Sequence, residues 1–181
     1  MLTSMIARQI DKLESRWGYD ASYLRLVLRA NPMSALKFGF VSQMADQRAA
    51  PAEAIAAVKI AGTLAEDCGP CVQIAVDMAA AEGVSPEVLR AILAGDEAGM
   101  GEGAAIGWRF ARASLARDLV AADQGRDEIV RRWGEAGLVA LSMSLTAARM
   151  YPTLKYALGY GRACSKLTVA GAPVNHVSIA A

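Results

Sequence analysis

Apolar residues recur every three or four positions through most of this chain and almost nowhere every second one, so the periodicity predicts helices and no strand. The first amphipathic run, Leu2 to Trp17, carries Met5, Ile6, Ile10, Leu13 and Trp17 on one face and stops at Gly18. Ala21 to Ala30 groups Tyr23, Leu24, Val27 and Leu28, and Asn31-Pro32 ends it because a residue before proline avoids helical geometry. Met33 to Met44 is apolar all round, with Leu36, Phe38, Phe40 and Val41, and is expected in the core or between subunits. A turn is expected around Asp46 to Ala50. Pro51 and Glu53 then open Ala52 to Ala65, whose only charge between Glu53 and Glu66 is Lys59, so this helix should be largely buried.

The second half repeats the pattern with clear punctuation. Pro70 suits an early helical position and opens an apolar helix over Val72 to Ala81, stopped by Gly83. Ser85-Pro86-Glu87 caps Val88 to Leu93, Gly95 ends it, and Gly95 to Gly103 is the most loop-like stretch. Ala104 to Ala122 offers Ile106, Phe110, Leu115 and Leu119 to the core, leaving Trp108, Arg109, Arg112 and Arg117 on other faces. A turn is expected at Asp123 to Gly125, then helix over Ile129 to Trp133, loosening at Gly134 and Gly137, and a buried helix over Leu138 to Met150. Tyr151-Pro152-Thr153 should break the run before a last helix, Leu154 to Arg162, with Tyr156 and Tyr160 packed on one face. The tail from Gly171 lacks helical periodicity and is expected either frayed or docked as an extended arm.

Composition narrows the picture. The chain has 181 residues, 54% hydrophobic but only 6% aromatic, and its alanine-rich apolar content favours close helix packing and a homo-oligomer. One all-α domain is expected: N-terminal helices over 1–50, a core over 51–150, and a C-terminal helix and tail over 151–181. A net charge of +1, with acids and bases interspersed, gives no basis for a nucleic-acid partner or a polybasic membrane patch. The N-terminal run contains Arg8, Asp11, Lys12, Glu14 and Arg16, so it lacks a signal peptide's apolar core. The uncharged run Ala136 to Ala148, bounded by Glu135 and Arg149, falls short of the roughly 20 apolar residues of a spanning helix and is expected as a fully buried one. With three cysteines, too sparse for a secreted scaffold, a cytoplasmic protein without membrane association is expected.

Candidate chemistry is concentrated in Glu66-Asp67-Cys68-Gly69-Pro70-Cys71. Two cysteines three positions apart at a helix entrance can close a small disulfide ring, and the helix's unsatisfied N–H groups favour thiolate over thiol. Half a zinc site is one alternative, but zinc wants four ligands and only Cys164 and the sole histidine, His176, could be added. Two buried, inert cysteines are another. His176 lies in the tail, where a lone imidazole more often does nothing. Thioredoxin shares the Gly-Pro pair, yet it needs a strand before the motif, where this chain has a helix.

A Cys-x-x-Cys that opens a helix and follows an apolar one, in an all-helical chain of this size, resembles the alkylhydroperoxidase D-like (carboxymuconolactone decarboxylase-like) superfamily. Ala79 to Val88 looks like that family's helix, glycine and capped-helix continuation, and the similarity extends roughly over Pro51 to Ala148. The resemblance implies a multi-helix bundle of that type. It also implies a thiol–disulfide oxidoreductase, and specifically a peroxidase, with Cys71 as peroxidatic thiol and Cys68 as its disulfide partner. A peroxide or disulfide substrate and a thiol reductant would be the partners, without metal or organic cofactor. The family's proton relay places a glutamate twelve residues before the first cysteine and a histidine four after the second; here these are Ala56 and Ala75. Lys59 could favour the thiolate, Glu66 and Asp67 oppose it, and Glu66 is the preferred substitute base. Loss of the relay also suits a non-catalytic oligomer or redox sensor, while a decarboxylase-like lyase would not require the cysteine pair.

Overall fold

In the computed structural model, residues 2–45, 48–161 and 166–179 are described. Asp46, Arg162 and Cys164, expected as a turn, a helix end and a third thiol, lie outside them. The described residues form α1 (Leu2–Trp17), α2 (Ser22–Ala30), α3 (Pro32–Gly39), α4 (Val41–Ala45), α5 (Ala52–Ala65), α6 (Gly69–Ala81), α7 (Pro86–Ala94), α8 (Gly101–Ala116) and α9 (Leu119–Ala157). A short antiparallel pair, β1 (Thr168–Val169) and β2 (Ala172–Pro173), follows. Apart from this pair, the regular structure of the described residues is all-helical. Among the described residues no helix is long and apolar enough to cross a membrane.

Local chemistry sets several of these boundaries. The Asn31 side chain accepts from the Ser34 N–H ahead of α3, Ser85 accepts from the Val88 N–H ahead of α7, and Asp118 accepts from the Ala121 N–H ahead of α9. Each such cap is worth about 1 kcal/mol. Gly95 closes α7 in the left-handed conformation.

The core is built around α5, which is buried from Ala54 to Leu64 except at Lys59. It packs against α6, α8 and α9. Small residues let these helices come close: a Cβ at Gly107 on α8 would lie 2.5 Å from the Ala54 carbonyl oxygen, and one at Gly62 would lie 3.1 Å from Leu145 on α9. Trp108 is fully buried in this cluster, not on an outer face as expected. Its large ring fills volume that the many alanines of the same cluster leave open. Its indole Nε1 has no hydrogen-bond partner among the described residues.

Several expected boundaries move. Arg117 adopts a left-handed conformation (φ 56°) and Asp118 restarts the helix, so α8 ends at Ala116 and Asp123 to Gly125 is helical, not a turn. That break resets the helix phase and leaves Leu119 72% exposed instead of in the core. α9 is interrupted at Gly134, whose φ of 69° only glycine adopts readily, but runs through Pro152, where a break was expected. The uncharged run near its middle is one-faced and not wholly buried: Ala140, Leu141, Ser144, Leu145 and Ala147 are inside and Val139 is out. Absence of charge is a weaker condition than burial on every side. Likewise Met33 to Met44 is split into α3 and α4, and Met33 and Phe40 remain exposed.

The hairpin is too short to leave a period-two signal. Its turn residues Ala170 and Gly171 both have positive φ, the geometry that matches strand twist. The tail beyond it is docked: the Val177 N–H donates to the Leu93 carbonyl at 2.8 Å and Ile179 is buried. His176 is exposed on this arm.

Gly107→Ala forces apart α5 and α8 and is expected to lower unfolding free energy by ~1–3 kcal/mol, read from the urea midpoint. Gly39→Ala, whose Cβ would meet nothing within 4 Å, is expected to leave that midpoint unchanged or raise it, because alanine is the better helix former.

Candidate active site

The turn between α5 and α6 carries the cysteines. Glu66 caps α5, Asp67 takes a left-handed φ of 48°, and Cys68 is the N-cap of α6 with Pro70 in its first turn. The amides of Cys71 and Val72 both donate to the Cys68 carbonyl at 2.9 Å, so the second cysteine is turned back over the first. The two are joined as a disulfide with a Cα–Cα distance of 5.2 Å. A left-handed aspartate is strained, and one stripe of α9 holds it. Tyr156 donates to the Asp67 carbonyl at 2.6 Å, Arg149 donates to Glu66 at 2.6 Å, and Thr153 reaches the other Glu66 oxygen at 3.4 Å. These three residues lie on one helical face. On the other side of α6, the Gln73 amide pairs with the backbone of Thr168, accepting at 2.8 Å and donating at 3.1 Å, which fastens the hairpin to the cysteine helix.

Cys68 and Cys71 are 4% and 3% exposed, so neither sulfur stands on the open surface. Cys71 instead lines a cavity of about 500 Å³. Its walls include Ile10 and Leu13 of α1, Leu24 and Val27 of α2, Phe38 of α3 and Met78 of α6. The lining extends to exposed Gln9, Gly39 and Glu82, which form its rim toward solvent. Ala56 and Ala75 both face it, as does Lys59. A largely apolar chamber with one cysteine sulfur in its wall suits a ligand with an apolar body and a reactive end.

A second set of groups meets Cys71 from elements distant in the chain. The Tyr19 hydroxyl lies 3.7 Å from Cys71 Sγ and 3.3 Å from the Tyr23 hydroxyl, and the two rings meet edge to face. Tyr19 sits in the α1–α2 linker, which Glu14 fixes by accepting from the Ala21 N–H and from Arg25. Asp11 accepts from Arg25 as well, at 2.7 Å. Behind the tyrosines is Lys155 of α9, 2% exposed, its Nζ 5.0 Å from the Tyr19 ring centroid and 5.9 Å from that of Tyr23. This ammonium has no hydrogen-bond partner among the described residues.

Burial sets the ionisation of these groups. It pushes both phenols above their ordinary range, Tyr23 furthest, so each remains a hydrogen-bond donor at any ordinary pH. It pushes Lys155 below 10.5, and the negative charge of Asp20 opposes that shift only in part.

The sequence placed Cys68, Cys71 and Glu66 at one turn, and they are brought together there. Glu66, however, directs its hydrogen bonds among the described residues to Arg149 and Thr153. Asp67 is exposed. The tyrosines and Lys155 were missed. One signal was available, since Lys155 is the only charge between Arg149 and Arg162 in an otherwise apolar segment. Among the described residues, no three His, Cys, Asp or Glu side chains are grouped to hold a metal ion.

A buried ammonium without a hydrogen bond costs stability that an apolar side chain of similar length does not. Between the lowered native pKa and 10.5, the unfolded chain binds the Lys155 proton more tightly than the folded one, so stability rises with pH across that window. Lys155→Met is therefore expected to raise unfolding free energy at neutral pH by ~1–3 kcal/mol. The gain should shrink as pH approaches 10, which a series of denaturant midpoints against pH would show.

No protein-family model, no curated protein and no solved structure matches the chain, so the chemistry of the site is argued from its own residues.

Proposed function

We propose that the chain is a thiol–disulfide oxidoreductase of the alkylhydroperoxidase D-like type that reduces a hydroperoxide through the Cys68–Cys71 pair. The observation that carries this reading is the position of Cys71 in the wall of a solvent-reaching apolar cavity, with a hydroxyl beside its sulfur. An inert structural disulfide has no need of such a chamber. The helix-opening position of the pair and the all-helical surroundings fit the same reading.

In the oxidative half-reaction the Cys71 thiolate attacks the distal peroxide oxygen. The O–O bond breaks, Cys71 becomes a sulfenic acid, and the departing alkoxide takes a proton to leave as an alcohol. Cys68 then attacks the Cys71 sulfur, its proton combining with the expelled hydroxide to give water. In the reductive half-reaction an external dithiol passes two electrons to the disulfide by thiol exchange and is itself oxidised to a disulfide. Cys71 is the peroxidatic thiol in this scheme because it is the cysteine that lines the cavity.

A redox sensor is the second reading, favoured by the low exposure of both sulfurs. Turnover separates the two. Purified protein supplied with an organic hydroperoxide and a dithiol is expected to consume many equivalents of peroxide. Cys71→Ser and Cys68→Ser should each abolish that consumption, a loss of at least about a hundredfold in rate. Oxidation that stops at one equivalent would assign the sensor role and remove the peroxidase.

A further inference from the structure

We propose that Tyr19 is a catalytic residue that donates a hydrogen bond to the Cys71 thiolate, and that Tyr23 and Lys155 are positioning residues that hold and polarise it. The proposal rests on the oxidoreductase reading and names the device that generates its nucleophile. Ala56 and Ala75 leave the cavity without an ionisable group at the two positions where the resembled family carries its relay. Tyr19 comes from elsewhere in the chain to meet the Cys71 sulfur, with Tyr23 and Lys155 packed behind it.

The geometry fits this role in both redox states. A disulfide sulfur carries no hydrogen, so in the contact at 3.7 Å only Tyr19 can donate to it. On reduction the sulfur becomes a far stronger acceptor, and the phenol turns its single hydrogen toward the thiolate. Tyr23, 3.3 Å away, then donates to the Tyr19 oxygen and completes a chain of two hydrogen bonds. Lys155, itself buried, adds a positive charge beneath both rings, where electrostatic interactions are less screened than at the surface. Among the described residues folding gains no hydrogen bond from this lysine. A thiolate behind Tyr19 gives its charge a counterpart.

Other charged groups bear on the same sulfur. Lys59 of α5 lines the cavity and acts in the same direction as Lys155, Glu82 just after α6 lies at the rim and acts in the opposite one, and Asp20 acts electrostatically on Lys155. Tyr151 of α9 also lines the cavity, as a further phenol. The test must therefore isolate Tyr19 and Lys155 from these.

In full-length, reduced protein carrying Cys68→Ser and Cys164→Ser, thiolate ultraviolet absorbance against pH reports Cys71 alone. Tyr19→Phe, which deletes one oxygen, is expected to raise the titration midpoint by about one pH unit, a tenfold smaller thiolate fraction near neutral pH. Lys155→Met is expected to raise it by a similar amount while the folded far-ultraviolet spectrum is retained, and Tyr23→Phe by less. A merely structural role would leave all three midpoints where they were. An unmoved midpoint in Tyr19→Phe overturns the proposal, and a shift there without one in a folded Lys155→Met overturns the role given to the lysine. Should Lys155→Met not fold, Lys155→Arg, which keeps the charge, must preserve the midpoint for that role to stand. This readout does not depend on turnover. Peroxide consumption by the unsubstituted protein with unmoved midpoints would remove the inference and keep the enzyme, and moved midpoints without consumption would do the reverse.

Discussion

The close approach of α5 to α8 and α9 decides where everything else in this protein can lie. Alanine and glycine at the facing positions bring backbones near enough that a single methyl at Gly107 would overlap the Ala54 carbonyl. Burial on that scale gains little per side chain, because an alanine removes little apolar surface from water, so stability here depends on many contacts at good packing density. A few large residues fill what remains, Trp108 above all. The result is a rigid α5 whose C-terminal end points the chain into the Glu66-Asp67 turn. The sulfurs then inherit their position from the core.

That turn is held from one side by α9 and from the other by the hairpin. Arg149, Thr153 and Tyr156 engage residues 66 and 67, while Gln73 ties α6 to Thr168. The same contacts explain how α9 passes through Pro152 without ending. Proline removes one backbone donor, but the residues on either side of it are already anchored to the α5–α6 turn. A proline in a segment fastened at Arg149 and Tyr156 costs one hydrogen bond and not the helix.

Signals within one segment were legible in the sequence, and signals between segments were not. α1 and α5 have the limits that Gly18 and Pro51-Glu53 announce, since caps and stops act over a few residues. The cysteine pair was legible for the same reason. Leu119 was misplaced because its periodicity continues that of α8 on paper, while the left-handed Arg117 resets the phase. Trp108 was misplaced because its burial answers to the space α5 leaves, which no pattern in α8 records. Tyr19, 52 positions before Cys71, and Lys155, far along the chain in α9, meet only once the helices have packed. Their chemistry is tertiary by origin.

Lys155 links the charge of the site to its redox state. In the disulfide form the ammonium faces two neutral phenols and has no anion in direct contact among the described residues, with only the longer-range influence of Asp20. In the proposed reduced form the Cys71 thiolate supplies one through Tyr19. A group that stabilises thiolate stabilises the dithiol relative to the disulfide, and so makes the disulfide a stronger oxidant toward an external thiol. In the proposed scheme the same charge makes the reduced cysteine available as thiolate near neutral pH, though a thiol of lower pKa is also an intrinsically weaker nucleophile. In the proposed cycle Lys155 thus works in favour of both halves only while its effect is moderate. Placing it behind the tyrosine rings, and not against the sulfur, supplies that moderation.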